Sequence, residues 1–249
     1  MLLYTLYNKM LKEQNKHPRD DNITFHEEGH KYTINGDTGY RSVTGFIKTV
    51  FPPISTTTLI SKIRNSPTYD ETNKYYNMTD EEIKTLWASL GATASALGSG
   101  LHKNIENFYN NQELDIDQEC KEWKLFKQYN EDTNQTPYRT EWMIYDEQIK
   151  ICGTVDMVFR NPDGTYDIVD WKRTKKIFKP KSPKPCNTSY WLYALQLNLY
   201  KYILTKNYDV KISNLYIVQL HPDQEGYKIF QVPHIDEYVK QLLKDMIDI

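Results

Sequence analysis

A tight turn between two strand-like runs constrains the fold of this chain more than any other stretch. Asn161-Pro162-Asp163-Gly164 suits a type I turn that ends in a left-handed glycine, with proline at the second position. Residues 149–160 and 165–172, on either side, are rich in isoleucine, valine and aromatic side chains, which favours strands. The stretch therefore predicts a β-hairpin.

The turn also predicts which residues of the two strands face each other. A three-residue loop pairs Asn161 with Thr165, and counting back from that pair places Asp156 opposite Asp170. Directly opposed residues hold their Cβ atoms about 4.5–5.5 Å apart, and like charges there destabilise a sheet. Lys172 shares a face with Asp170 because strand side chains alternate. The opposite face is predicted to be apolar and to carry Val155, Met157, Val169 and Trp171.

Two carboxylates and a lysine on one face indicate a cation site. Hard divalent cations take carboxylate oxygens, and Mg²⁺ typically uses one or two of them with waters and substrate phosphate. A neighbouring lysine can orient a water and offset charge on a phosphate oxygen. These parts point to metal-assisted phosphodiester hydrolysis, although the spacing alone fits a solvent-exposed hairpin face equally well.

Composition narrows the class of protein. A chain of 249 residues can form one large domain or a core with an extension. The net charge of −2 argues against a uniformly basic nucleic-acid binder but permits a local basic patch. Three scattered cysteines without a CxxC pair make neither a disulfide framework nor an iron–sulfur site. The first ten residues do not resemble a secretion signal and no run has the ~20 apolar residues of a membrane span, so we expect an intracellular protein without a membrane partner.

The remaining pattern predicts a mixed α/β fold. Residues 1–78 are interpreted as an N-terminal extension, with short strands in 23–35 and a loop or insertion over 54–76, and residues 79–249 as the core. The capping box Thr79-Asp80-Glu81-Glu82 begins a helix that is expected to end at Gly91. Further helices are predicted over 92–109, 117–131, 189–204 and 234–249, and further strands over 138–145, 214–220 and 227–232.

Four motifs in and around the hairpin resemble those of PD-(D/E)XK nucleases. Gly153-Thr154-Val155-Asp156, the turn, and Val169-Asp170-Trp171-Lys172 resemble the signature of that superfamily. Gly98-Ser99-Gly100-Leu101-His102 and Gln196-Leu197-Asn198-Leu199-Tyr200 are similar to the G-[ST]-x-x-H and Q-x-x-x-Y motifs of its RecB-like exonuclease branch. Their order and spacing agree over roughly residues 92–206. The similarity is greatest to mitochondrial genome-maintenance exonucleases and their viral relatives, and includes a lead-in of the Tyr40-Arg41-Ser42-Val43-Thr44 kind.

The resemblance implies a restriction-endonuclease-like core, with a mixed central sheet flanked by helices, and assigns site residues. It implies that Asp156 and Asp170 bind metal and that Lys172 acts on the attacking water. His102 and the backbone carbonyl of Trp171 would complete the metal contacts. Supporting roles fall to two acids, Glu106 and Glu141, which could equally be solvent-facing helix and strand residues.

The resemblance also implies DNA contacts. Gln196 and Tyr200 share one helix face and would support the active site or the DNA, unless they only pack. The basic, proline-containing loop 172–184 would meet backbone phosphates, with three side chains as contacts, namely Arg173, Lys175 and Lys176. Tyr190, Trp191 and Tyr193 could stack on unpaired bases or pack in the core.

The function that this implies is a deoxyribonuclease with one or two Mg²⁺ or Mn²⁺ ions, acting in DNA repair, recombination or replication. The expected activity is that of an exonuclease on single-stranded or end-processed DNA. A helicase or a replication or recombination protein is the implied class of partner, and a viral source would place the protein in the host cytoplasm or nucleus. Three alternatives remain open: a structure-specific or partner-dependent endonuclease, a DNA-binding subunit on an inactive nuclease fold, and a zinc hydrolase built on His102 and Glu106, which lacks a second histidine at useful spacing.

Overall fold

The centre of the molecule is a mixed six-stranded sheet. The structure, a computed structural model, describes residues 9–29, 31–177 and 184–247. The strands of the protein are β1 Ile23–His26, β2 Lys31–Ile34, β3 Arg41–Ser42, β4 Thr136–Asp146, β5 Ile151–Arg160, β6 Tyr166–Lys172, β7 Ile212–Gln219 and β8 Lys228–Gln231. β1 and β2 form a separate two-stranded sheet, and the other six form the central sheet. The α-helices are α1 Leu11–Gln14, α2 Val43–Val50, α3 Thr56–Arg64, α4 Asp80–Tyr109, α5 Lys121–Thr133, α6 Ser189–Asn207 and α7 Asp236–Ile247, with a 3-10 helix at Pro18–Asn22. None of these helices has both the length and the apolar composition of a bilayer span.

The sheet follows the order β3-β5-β6-β7-β8, with β4 on the other side of β5. β5 is antiparallel to β4 and β6, whereas β6 and β7 are parallel and are joined through α6. Helices α2, α6 and α7 pack on one face of the sheet, and α5 with the C-terminal part of α4 packs on the other. The prediction of a mixed sheet flanked by helices is confirmed.

The central hairpin forms as its turn predicts. Gly164 has φ +81°, and the Asn161 N–H donates to the Thr165 carbonyl at 2.8 Å. The ladder then runs from Arg160 opposite Tyr166 to Met157 opposite Val169. This is the predicted register.

Two predictions about helices are wrong. Gly91 does not end a helix, because α4 continues through it as one helix of 30 residues. A glycine inside a helix costs about 1 kcal/mol relative to alanine, which is too little to stop a helix anchored at both ends. Within the predicted loop 54–76, α3 forms because the Ser55 hydroxyl accepts a hydrogen bond from the Thr58 N–H and caps it.

The segment interpreted as an N-terminal extension contributes to the core. β3 pairs in parallel with β5, and Val43 and Phe46 of α2 lie in the main hydrophobic cluster. The 3-10 helix is fixed to β4 by an ion pair between Asp20 and Arg139, whose side chains are each only 2% exposed. The β1–β2 hairpin packs on β4 and β5 through a smaller cluster, made of Ile23, Ile34, Tyr145 and Cys152.

Candidate active site

The candidate site lies where β5 and β6 separate, just past the end of their ladder. The Trp171 N–H there donates to Asp156 Oδ2 at 2.9 Å, so a side chain replaces a backbone partner. The continued register places Asp156 opposite Asp170, and the two carboxyl groups interact electrostatically. The predicted shared apolar face is only partly correct: all four of its residues are buried, but Val155 packs in the cluster with α6 while Met157 packs in the cluster with α5.

This change of face coincides with an interruption of the β4–β5 ladder. Thr140 pairs with Met157 and Trp142 with Val155, so Glu141 and Asp156 occupy the position between those pairs, and neither has a Cα partner in the ladder there. Glu141 has φ +43°, a left-handed conformation that costs a non-glycine residue about 1–2 kcal/mol. Such strain concentrates at functional sites. Here it places the Glu141 carboxylate next to that of Asp156.

Three side chains from three elements converge at this point. His102 of α4, Glu141 of β4 and Asp156 of β5 present ligand atoms that all lie within 4.8 Å of one another. His102 Nδ1 is 3.5 Å from Asp156 Oδ2 and 3.8 Å from Glu141 Oε1. Glu141 was predicted only as a supporting acid, and the structure places it among the closest potential ligands.

The hydrogen bond of His102 determines which ring nitrogen faces the carboxylates. Nε2 lies 2.9 Å from the Trp171 carbonyl, which can only accept, so Nε2 carries a proton. A neutral His102 therefore directs the lone pair of Nδ1 between Glu141 and Asp156, as a metal ligand requires. The Trp171 carbonyl, predicted as a metal contact, is engaged by this hydrogen bond and keeps one lone pair.

Without a cation, protons compensate the carboxylates. Burial alone lowers the pKa of His102, but Asp156 and Glu141 outweigh it and raise that pKa to about 9. Burial raises the pKa of Asp156. Burial and the repulsion from Asp156, opposed by Lys172, raise the pKa of Asp170 to about 6. The site is therefore built to attract positive charge.

Asp170 is held from two sides. Lys172 Nζ donates to Asp170 Oδ1 at 2.8 Å and lies equally close to Oδ2, and Gln196 Nε2 donates to Oδ1 at 3.1 Å. Among the described residues, Oδ2 has no hydrogen bond of good geometry although it is buried. A buried carboxylate oxygen of this kind has lone pairs to offer a cation.

Lys172 is held as an ammonium group. Burial would lower its pKa, but Asp170 and Asp156 raise it. Its Nζ also lies 4.7 Å from the centre of the Tyr193 ring. A protonated lysine suits donation to a water or a phosphate oxygen better than removal of a proton.

Gln196 and Tyr200 lie inside the protein, one turn apart on α6. They are 8% and 4% exposed, and Gln196 Nε2 is 3.3 Å from the Tyr200 hydroxyl. The Tyr200 ring packs on Gly153 of β5, where an added Cβ would lie 2.8 Å from ring atom Cε1. Burial leaves both side chains little surface for a strand outside, and Gln196 donates to Asp170 Oδ1, so their assignment as DNA contacts stays a prediction. Tyr190 and Trp191 are buried core residues too.

The basic residues after β6 differ in their exposure and in whether their charge is paired. Arg173 is half-buried and its Nε donates to Glu122 at 2.9 Å, so its charge is already paired. Lys175 is exposed and paired with Asp223, and Lys176 is exposed. The neighbouring Lys179 and Lys181 lie outside the described residues.

The donors present fit a hard divalent cation. Carboxylate oxygens with one imidazole suit Mg²⁺ or Mn²⁺ better than softer metals, which take thiolates. The clustered ligand atoms of Glu141 and Asp156 and the Nδ1 lone pair of neutral His102 point to the same conclusion. Glu106 stands slightly apart, paired with Lys103 at 2.8 Å.

Comparison with known proteins agrees with this geometry. The family model described as "PD-(D/E)XK nuclease superfamily" matches residues 71–248. The chain belongs to this superfamily. It is therefore a nuclease of a family that uses divalent metal ions. A search of curated proteins found no significant match.

Two solved structures are similar to this chain. A crystal structure of SSO0001 shares 18% identity over 100% of this chain and 86% of its own, with a TM-score of 0.36. A "Putative exonuclease" from Eubacterium rectale shares 17% identity over 84% of this chain and 77% of its own, with a TM-score of 0.39.

Sequence reasoning missed one part of the site. A cavity next to His102 and Glu141 is also lined by Phe25 and Tyr32 of the β1–β2 hairpin. The hairpin itself was predicted, but its position over β5 depends on contacts between residues more than 100 positions apart, such as Tyr32 with Thr154. No local sequence signal reports such a contact.

Proposed function

We propose that this nuclease is a Mg²⁺- or Mn²⁺-dependent deoxyribonuclease that acts as an exonuclease on single-stranded or end-processed DNA. The observation that carries the proposal is the convergence of His102, Glu141 and Asp156 within 4.8 Å. The buried Asp170–Lys172 pair lies beside them. This set combines cation ligands with an ammonium group, as phosphodiester hydrolysis requires.

Each side chain has a distinct task in this proposal. A bound divalent cation supplies Lewis acidity for the hydrolysis. Asp156, Asp170 and Glu141 hold it through carboxylate oxygens, and His102 contributes Nδ1. The Lys172 ammonium donates to the attacking water or to a phosphate oxygen, where developing negative charge is stabilised.

The test is digestion of an end-labelled single strand with Mg²⁺ or Mn²⁺, and with chelator as a blank. Asp156→Asn and Lys172→Met keep side-chain size, and each should lower kcat by about 10²-fold or more. Asp163→Asn, in the exposed turn of the same hairpin, is the matched control and should cleave like the wild type. Undiminished cleavage by either site variant would sink the proposal.

The choice between exonuclease and endonuclease needs one more substrate. A closed circular single strand has no end, so a strict exonuclease leaves it intact while it degrades the linear form. Nicking of the circle would favour the structure-specific endonuclease. Labels at the 5′ and 3′ ends of the linear strand report the direction.

A further inference from the structure

A cavity of about 610 Å³ opens beside the potential metal ligands. It is lined by Gly98 and His102 of α4 and by Glu141 of β4. Phe25 and Tyr32 of the β1–β2 hairpin line it as well. Small-molecule pockets span about 300–1,000 Å³, so this cavity admits an unpaired nucleotide but not a double helix.

The hairpin presents an aromatic surface to the cavity. Phe25 and Tyr32 are directly opposite partners in the β1–β2 ladder, and their ring centres are 4.8 Å apart with an interplanar angle of 47°. Both side chains are partly exposed. Nucleobases stack on aromatic side chains whatever the base, because every base has a π-face. The wall therefore suits a base.

The aromatic wall is fixed relative to the metal ligands. The Tyr32 hydroxyl is hydrogen-bonded to Thr154 Oγ1 at 2.9 Å, and Thr154 precedes Asp156 by two residues on β5. The hairpin is also seated by Ile23 and Ile34 in the small cluster with β4 and β5. A ligand on this wall is thus held at a defined distance from the reacting phosphate.

The charges of the cavity separate base from phosphate. Glu27 and Glu106 line it together with Glu141, and Lys103 is paired with Glu106 at 2.8 Å. This acidic lining repels a phosphate that is not neutralised by a cation. An uncharged nucleobase fits the hairpin side, while the phosphate belongs on the metal side.

We propose that this cavity binds a terminal, unpaired nucleoside of a DNA strand, with its base stacked on Phe25 and Tyr32. The β1–β2 hairpin is then the element that positions the strand end for cleavage and selects unpaired DNA. This inference rests on the proposed function, because the scissile phosphate must lie at Asp156 and Asp170.

A stacking measurement tests the aromatic wall without cleavage. Single strands carry the fluorescent base 2-aminopurine at one end or the other, and Ca²⁺ replaces Mg²⁺ during the titration. The wild type should quench the label at one end, and Phe25→Ala should weaken binding of that strand about 10-fold. Phe25→Trp should restore it, and His26→Ala, on the exposed opposite face of β1, is the control. Absence of quenching at both ends would overturn the inference.

A matched pair of glycines on α4 tests the cavity itself. An added Cβ meets nothing within 4 Å at Gly98 or at Gly91, so neither position excludes a side chain at its Cβ. Gly98 lines the cavity, whereas Gly91 lies two turns away and does not. Gly98→Leu should weaken strand-end binding about 10-fold or more, and Gly91→Leu should leave it unchanged. Equal binding by both variants would contradict the proposal.

Cleavage separates this inference from the proposed function. If the wild type digests a linear strand, replacing its terminal bases by abasic sites should lower kcat/KM about 10-fold. In Phe25→Ala the ratio of kcat/KM between the two strands should fall towards one. A wild type that cleaves both strands equally contradicts the stacking wall alone. A wild type that cleaves nothing with Mg²⁺ or Mn²⁺ contradicts the proposed function, and the fluorescence titration then decides the inference.

Discussion

The buried ion pair between Asp20 and Arg139 makes a strong prediction about how the N-terminal segment is attached. Asp20 Oδ2 accepts from Arg139 Nη1 at 2.7 Å and from the His17 N–H at 2.9 Å, and Oδ1 accepts from Trp142 Nε1 at 2.9 Å. Burial would raise the pKa of Asp20, but these hydrogen bonds, with Arg139 first, lower it. Asp20 is therefore charged in the folded protein.

Asp20→Asn keeps the shape of the side chain but removes its charge. The single side-chain oxygen of the asparagine can still accept from Trp142, while its NH₂ group faces the donors of Arg139 and His17. Arg139 is then left as a buried cation without its counter-ion, which costs about 3–5 kcal/mol. This loss is a large part of the about 5–15 kcal/mol of unfolding free energy of a typical domain. For a chain of this size it should lower the melting temperature by about 6–20 °C.

The assay is urea unfolding and calorimetry, with two companion variants. Asp21→Asn is the matched control, since Asp21 is exposed and its partner Lys16 is too, so it should melt like the wild type. Asp20→Asn/Arg139→Met removes both partners and should recover much of the loss. If Asp20→Asn is as stable as Asp21→Asn, the view that this pair anchors the segment is wrong.

Three further predictions concern the site. Glu141→Gly should be at least as stable as Glu141→Ala, because φ +43° strains alanine by about 1–2 kcal/mol. In an ordinary strand position the alanine variant would be the more stable one. An alanine variant clearly more stable in urea would refute this prediction. Gly153→Ala should lose about 1–3 kcal/mol by crowding Tyr200, and Tyr200→Leu in the same chain should relieve part of it; an unchanged urea midpoint would count against it. Metal affinity should rise with pH up to about 9, because the cation displaces protons from His102, with pKa about 9, and Asp170, with pKa about 6. Calorimetry in buffers of different ionisation enthalpy should detect this proton release. A metal affinity that does not change with pH would contradict the prediction.

Local features of this chain were predictable from sequence. The turn Asn161–Gly164 depends on four consecutive residues and on the freedom of one glycine, so its register followed correctly. The capping box at Thr79 was predictable too, because it depends only on residues three positions apart. The site residues of the signature lie on or next to that hairpin, which is why Asp156, Asp170 and Lys172 could be placed together.

Features that depend on tertiary contacts were not predictable. Gly91 was expected to end a helix because propensity ignores the anchoring of α4 at both ends. The left-handed conformation of Glu141 has no sequence signal, since glutamate rarely adopts it. The burial of Gln196 and Tyr200 follows from how α6 packs on the sheet, which its spacing alone does not reveal.

The central claim is that the separating ends of β5 and β6 form a divalent cation site. It is tested most directly by a crystal grown with Mn²⁺ and measured at a wavelength where manganese scatters anomalously. The account predicts an anomalous peak in contact with carboxylate oxygens of Asp156 and Asp170, with Glu141 or His102 Nδ1 also within coordination distance. The same crystals of Asp156→Asn should lose the peak. A Mn²⁺ peak elsewhere, or an active enzyme with no peak at this site, would contradict it.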